Sequence, residues 1–386
     1  MRILFVVFHF PPISGGGVVV IVELANKLAD LGHSVTILTP NLVWKGQQFN
    51  PHMNENISVI RVPTPSKENM KIAARTCYAS LKNKALEMAT AQKFDFILTI
   101  FHPFHLAPKA AVDCGKKIRL PVIVKIDDAL YEKAKGFKSI QRWIEKLINT
   151  KTLKNASRVL VMNEDTKNLV RGYYNISNEK ISVVPNGVET NRFYSKNVQS
   201  KKIIFSGVMY YHRGLDLLLE AAPEIIKKVP DVEFILLGDG PELEKLRNIV
   251  NQKNLASNIR FEGWVDRKKI QDYLSLGAVG IGPLRATAVT RNALPIKVLE
   301  YMASCLPIIA WENTLPSDVL LNGKNGFFVN SPNELAQRVI LLLSNQNLRQ
   351  QMGLESRRLV EKFDWRNIAE MIINEYSKCR TSFLKE

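Results

Sequence analysis

Short apolar runs of strand length alternate with helix-length segments along the whole chain, and this alternation restricts the fold more than any other feature. "ILFVVF" (3–8) reads as a strand, "VVVIVELANKLADLG" (18–32) as a helix and "SVTILTP" (34–40) as a strand. "DFILTI" (95–100), "PVIVKI" (121–126), "RVLVMN" (158–163) and "EKISVVPNGV" (179–188) continue the strand series. A second series runs through "KIIFSGV" (202–208), "VEFILLGDGP" (232–241), "IRFEGWV" (259–265), "VGIGPL" (279–284), "LPIIAW" (306–311) and "GFFVN" (326–330). Apolar spacing makes the stretch from Asn333 to Cys379 helical throughout. The expectation is an α/β fold with parallel sheets, in two similar doubly wound halves facing a central cleft. In such folds ligands bind at the carboxyl ends of the strands.

A chain of 386 residues is too long for one ordinary core, so two domains are expected. The polar stretch "ETNRFYSKNVQSKK" (189–202) is the linker candidate. It sets domains at 1–190 and 200–365, with a C-terminal helical segment at 366–386. No apolar run approaches the roughly 18 residues that span a bilayer. "MRILFVVFHFPP" has no small-residue cleavage site and reads as a first strand rather than a leader. The four cysteines make no metal-ligand spacing and fit free thiols in a reducing cytosol. The net charge of +17 is uneven: residues 1–195 hold 27 Lys and Arg against 15 Asp and Glu, a net of +12. A basic first half points to an anionic partner, or to a generically basic surface. With no recognition helix or aromatic stacking motif beside the charge, nucleic acid is not expected as a partner.

Several stretches place glycine and charge where a ligand would sit. Gly15, Gly16 and Gly17 join the first strand to the first helix, which suits close backbone approach and equally an ordinary turn. "FSGVMYYHRGLD" (205–216) sets Gly207 after a strand and Arg213 before a helix; the arginine is either a fork donor to a diphosphate or a solvated helix-start residue. Gly238 lies in a turn after "EFILL". In "RNALPIKVLEYMASCLP" (291–307) Pro295 suits a first helical position, and the N–H groups from Ala293 through Leu294 to Lys297 are candidates to face a phosphate. Glu300 is costly in an apolar helix unless it has a partner, and either Lys297 one turn away or a ligand would serve. Residues 135–156 form an amphipathic helix with Phe137, Ile140, Ile144, Leu147 and Ile148 on one face and a lysine-rich surround, suited either to an anionic membrane or to its own domain. Residues 71–88 are a weaker candidate of the same kind.

In this order the pieces resemble glycosyltransferase family 4, the glycosyl transferases group 1 enzymes, over nearly the whole chain. The resemblance implies a GT-B fold of two Rossmann-like domains, with a C-terminal helix crossing back to the first. It implies transfer of a sugar from a nucleotide donor, UDP- or GDP-linked, with retained configuration. The donor would bind the C-terminal domain, and a glycan or lipid-linked acceptor the N-terminal one. By that resemblance Gly15 and Gly16 approach the donor phosphates, Glu300 holds the donor ribose and Arg213 supplies a diphosphate cation. Three positions depart from the family's pattern. Asn292 stands where a glutamate contacts the donor sugar, Val208 where an arginine contacts the diphosphate, and Asp127 where a histidine is usual. Arg285, Arg291 or Lys297 would then compensate for the lost cation, while Asp127, His102 and His105 remain for the acceptor side. No cofactor is implied, and the absence of an Asp-x-Asp sequence agrees with metal-independent chemistry. Habit of the family and basic charge place the reaction in the cytoplasm, at the inner face of the cell membrane. Rival readings are a sugar-nucleotide epimerase or hydrolase, and a non-catalytic partner subunit.

Overall fold

The computed structural model describes residues 1–46, 48–127, 137–196, 199–287, 290–291 and 293–383. The chain divides into two compact units: Met1–Asn186 with Trp365–Glu386, and Gly187–Asp364.

Among the described residues the first unit holds seven strands: β1 (Arg2–Val6), β2 (Ser34–Pro40), β3 (Ile57–Val62), β4 (Phe96–Phe101), β5 (Val122–Ile126), β6 (Arg158–Val161) and β7 (Ile181–Val183). Its helices are α1 (Gly16–Asp30), α2 (Met70–Thr76), α3 (Tyr78–Ala91), α4 (Ala107–Ile118), α5 (Phe137–Asn155) and α6 (Glu164–Tyr174). The strands form one parallel sheet in the order β3-β2-β1-β4-β5-β6-β7. Ile3, Leu4, Phe5 and Val6 are buried in succession, as in strands covered on both faces. The edge strand β3 escaped the sequence reading because Ser58, Val59 and Arg61 are exposed, so its sequence carries no continuous apolar run.

The second unit has β8 (Lys202–Ser206), β9 (Glu233–Leu237), β10 (Ile259–Gly263), β11 (Val279–Ile281), β12 (Ile308–Trp311) and β13 (Gly326–Val329). These are parallel in the order β10-β9-β8-β11-β12-β13. Its helices are α7 (Leu215–Lys228), α8 (Leu243–Gln252), α9 (Arg267–Ser275), α10 (Ile296–Ala303), α11 (Pro332–Ser344) and α12 (Gln346–Val360). In each sheet the strand order reverses at one place, between β1 and β4 and between β8 and β11. A crevice opens there at the carboxyl ends.

The C-terminal stretch is not one continuous run of helix. Asn345 ends α11 and caps α12, its side chain accepting from Leu348 N at 3.0 Å. A second break precedes α13 (Trp365–Phe383), which belongs to the first unit. There Tyr376 stacks on Phe96 at 4.7 Å, and Glu375 accepts from Ser182 Oγ at 2.7 Å. The first part of the polar stretch 189–202 is packed rather than free. Asp364 accepts from Thr190 Oγ1 at 2.6 Å, and Arg357 donates to the carbonyls of Thr190 and Phe193.

Within the first unit α5 buries Asn149, Thr152 and Leu153. It leaves Ile140, Trp143, Ile144 and Leu147 between 47% and 61% exposed. Lys133 and Lys135 of the expected amphipathic segment lie outside the described residues, as do the side chains of Phe137 and Lys138. No described helix is long and apolar enough to cross a membrane.

Candidate functional site

The crevice of the second unit is floored by two glycines. Gly207 follows β8 at φ +130° and Gly238 follows β9 at φ +128°. A Cβ on Gly238 would lie 2.2 Å from the Gly207 carbonyl oxygen, so the two loops close only on bare backbone. Above them lies Lys297, from the first turn of α10. Its Nζ would sit 3.9 Å from a Cβ on Gly207 and rests 3.7 Å from the centroid of the Phe205 ring. The side chain is 9% exposed, and Nζ has no hydrogen-bond partner among the described residues.

Such an amine is held against its solvation. Burial, and then the charge of Arg213, push Lys297 well below the ordinary lysine range, against a smaller opposing pull from the Glu300 carboxylate. Burial lowers His212 to about 4, with Arg213 and Lys297 adding to the effect. Three basic side chains thus converge on one place where they penalise one another's charge. A polyanion reverses that penalty, and no neutral ligand would.

Glu300 is 4% exposed, one turn along α10. It does not form a hydrogen bond with Lys297. Its Oε1 accepts from Arg267 Nη1 at 2.7 Å, an ion pair that joins α10 to the start of α9. Arg267 was not picked out in the sequence; the signal available was that a carboxylate in an apolar helix needs a cation. Tyr301, equally unanticipated, is fully buried and accepts from Ser206 N at 2.7 Å, which fixes the end of β8 against α10.

The other expected residues of this unit vary. Pro295 is the N-cap of α10 and not its first helical residue. Ala293 N–H is already engaged, donating to the Thr290 carbonyl at 3.2 Å, so it is not among the groups left for a phosphate. Leu294 is buried at 3% exposure and packs as core. Arg285 does not supply a free cation: it pairs with Asp216 at 2.6 Å and covers the Tyr211 ring at 4.0 Å. Val208 is exposed. Asn292 lies outside the described residues.

In the first unit Gly15, at φ +147°, is the N-cap of α1 and Gly16 its first residue. The β1/β4 crevice gathers three imidazoles. His9 follows β1, and His102 and His105 follow β4. The ring of His105 lies 4.6 Å from His9 and 4.3 Å from His102. Burial holds His9 and His102 at about 4, with the charge of His102 adding to the effect on His9, and burial, then His102 and His9, push His105 well below the ordinary range. His9 was missed because it stands alone in "HFPP". Around them is a cavity of about 400 Å³. Asp127, at the end of β5, is not part of that cavity's lining. It pairs with Lys125, a strand lysine with no exposed surface whose Nζ also donates to Asn186 Oδ1 at 2.6 Å. Asp127 Oδ2 is buried without a partner among the described residues. Lys125 was passed over in "PVIVKI" as one polar letter in a strand.

Against known families, residues 14–192 match the model described as Glycosyltransferase Family 4, and residues 188–359 match Glycosyl transferases group 1. The chain belongs to this glycosyltransferase family. Its α/β architecture, two parallel sheets with alternating helices, is that of GT-B glycosyltransferases. Among curated relatives, the Saccharomyces cerevisiae phosphatidylinositol N-acetylglucosaminyltransferase GPI3 subunit is 28% identical over 287 residues, 70% of this chain. The chain spans only 60% of that relative's length. The alpha-monoglucosyldiacylglycerol synthase of Acholeplasma laidlawii is 22% identical over 87% of each chain. Among solved structures, Anabaena HepE in complex with UDP superposes with a TM-score of 0.75 at 15% identity, covering 98% of this chain and 100% of that one.

Proposed function

We propose that this glycosyltransferase moves a hexose from a nucleoside-diphosphate sugar, UDP- or GDP-linked, to a lipid-linked or surface-glycan acceptor, with retained configuration and without a metal ion. The single observation that carries the donor half is Lys297: a buried amine without a hydrogen-bond partner among the described residues, set over Gly207, in the field of Arg213. A diphosphate there supplies the counter-charge. As the sugar leaves, negative charge grows on the diphosphate, and cations fixed in a low-dielectric crevice stabilise it. In this reading Glu300, paired with Arg267, accepts from ribose hydroxyls. Same-face substitution within an ion pair needs no dedicated nucleophile, and Asp127 and His102 serve the acceptor side. The two relatives named above carry a lipid in their names, phosphatidylinositol in one and a glucosyldiacylglycerol in the other, and with the exposed apolar stripe of α5 this supports a peripheral position at the cytoplasmic membrane face.

The test is thermal stabilisation of the purified chain by UDP, GDP, ADP and their sugars, with a metal chelator present. A ligand bound only by the native state raises the melting temperature. One nucleotide should stabilise the wild type, and Glu300→Ala should abolish the shift. Absence of any shift at millimolar ligand would transfer the chain to the non-catalytic reading.

A further inference from the structure

The floor of the second unit's crevice gives a ligand room but few donors. Gly207 N–H already donates to the Leu237 carbonyl at 2.9 Å, and Gly238 N–H to the Gly263 carbonyl at 2.7 Å. An anion lying on these two glycines therefore takes its hydrogen bonds from side chains. The Lys297 amine is buried over them without a partner among the described residues. The acids of the adjoining elements are turned to other groups: Glu300 to Arg267 at 2.7 Å, Asp216 at the start of α7 to Arg285 at 2.6 Å, and Asp239 after β9 to Gly240 N–H at 2.6 Å. Arg213 and His212, in the loop after β8, oppose a positive charge on Lys297, and burial keeps the Tyr301 hydroxyl neutral. The Phe205 ring beneath Nζ takes an N–H from an amine as well as from an ammonium, and it returns only part of the hydration that an ammonium loses on burial. An ammonium left in such a place sheds its proton rather than stay charged without a counter-ion.

We infer that Lys297 is an uncharged amine while the crevice is empty and takes up a proton when a diphosphate enters, so that donor binding is coupled to proton uptake and weakens as pH rises. This inference rests on the nucleotide-sugar reading of the crevice and adds how that site responds to pH. The bound diphosphate stabilises only the protonated form, so binding draws a proton in the window between the low value of the empty crevice and the value restored by the ligand. Within that window one coupled proton lowers affinity by up to about tenfold for each unit of rising pH. Below it the amine is charged in both states, and above it in neither, so the coupling disappears at both limits.

The experiment is titration calorimetry of the full chain with UDP and with GDP at pH 7.5, 8.5 and 9.5, in buffers of different ionisation heat. A terminal phosphate, with a pKa of about 6, is fully charged over this range and takes up nothing itself. The dependence of the observed heat on the buffer counts the protons. It should reach about one proton per nucleotide at its maximum, and affinity should fall with pH wherever protons are taken up. Lys297→Arg carries a charge that no pH in this range removes. It should bind without proton uptake and with a pH-independent affinity, and without ligand it should melt below wild type. His212→Gln should keep the wild-type uptake; losing it would assign the proton to the imidazole and overturn the inference. Nucleotide binding to wild type without proton uptake at all three pH values would also overturn it, and would leave the donor reading standing. Sulfate, which does not titrate here, tests the amine without the nucleotide. A sulfate-induced melting shift that shrinks from pH 7.5 to pH 9.5 and is absent in Lys297→Met, together with no response to any nucleotide, would sink the donor reading alone.

Discussion

Lys297 couples the charge state of the second unit's crevice to stability. The unfolded chain protonates this lysine at its ordinary value of 10.5, while the native chain releases the proton well below that. Between those two limits the unfolded state binds more protons, so native stability rises with pH across that window. Lys297→Met removes the penalty. Ligand-free stability should increase by on the order of 1 kcal/mol at neutral pH, as when buried charges give way to apolar groups. The gap to wild type should narrow as pH rises, and the nucleotide-induced melting shift should vanish; urea titrations at pH 7 and pH 9.5 check the first two. A wild type more stable than the methionine variant without ligand would contradict this account. Lys125 behaves oppositely because it is paired. Lys125→Met leaves Asp127 buried without its cation and should cost about 3–5 kcal/mol, most of it recovered in the Lys125→Met, Asp127→Asn double variant. Chemical denaturation of the four proteins closes that cycle.

At the scale of elements, the loops after β8 and β9 depend on their glycines. Gly238→Ala places a methyl against the Gly207 carbonyl at positive φ and should destabilise the second unit by about 3 kcal/mol, read by hydrogen exchange in 187–364. In the first unit, the lowered His9 and His102 mean that stability is fully present above pH 6.5 and is lost as pH falls toward 4. His102→Phe should flatten that loss. Elements buried on both faces, such as β1 and β9, were legible because their apolar runs have no other use. The edge strand β3 was not, since half its side chains meet water. The orientation of α5 was undecidable from periodicity, which finds an apolar face but does not say whether protein or solvent lies against it. The crevice of the second unit was half legible: glycines, Arg213 and Glu300 stand out as letters. Arg267 and Tyr301 there, and Lys125 in the first unit, do not, because their roles come from contacts 33, 95 and 61 residues away in sequence.

For the whole molecule, the division into units does not follow the order of the chain. The first unit is interrupted by the second and completed by α13, whose Ile368, Ala369 and Ile372 are buried. Truncation after Asp364 should therefore abolish hydrogen-exchange protection in β1, β4 and β6 while sparing the nucleotide-dependent protection of 187–364. The reverse pattern would refute this division. The same arrangement orders events during synthesis. Domains fold as units while the chain emerges from the ribosome. The residues of the second unit emerge before α13, so that unit has all its chain while the first still lacks a helix. A nascent chain that has emerged as far as Asp364 should already hold a folded second unit beside a first unit whose seven strands are present but whose last helix is not, and release of that helix then becomes the step that finishes the first unit.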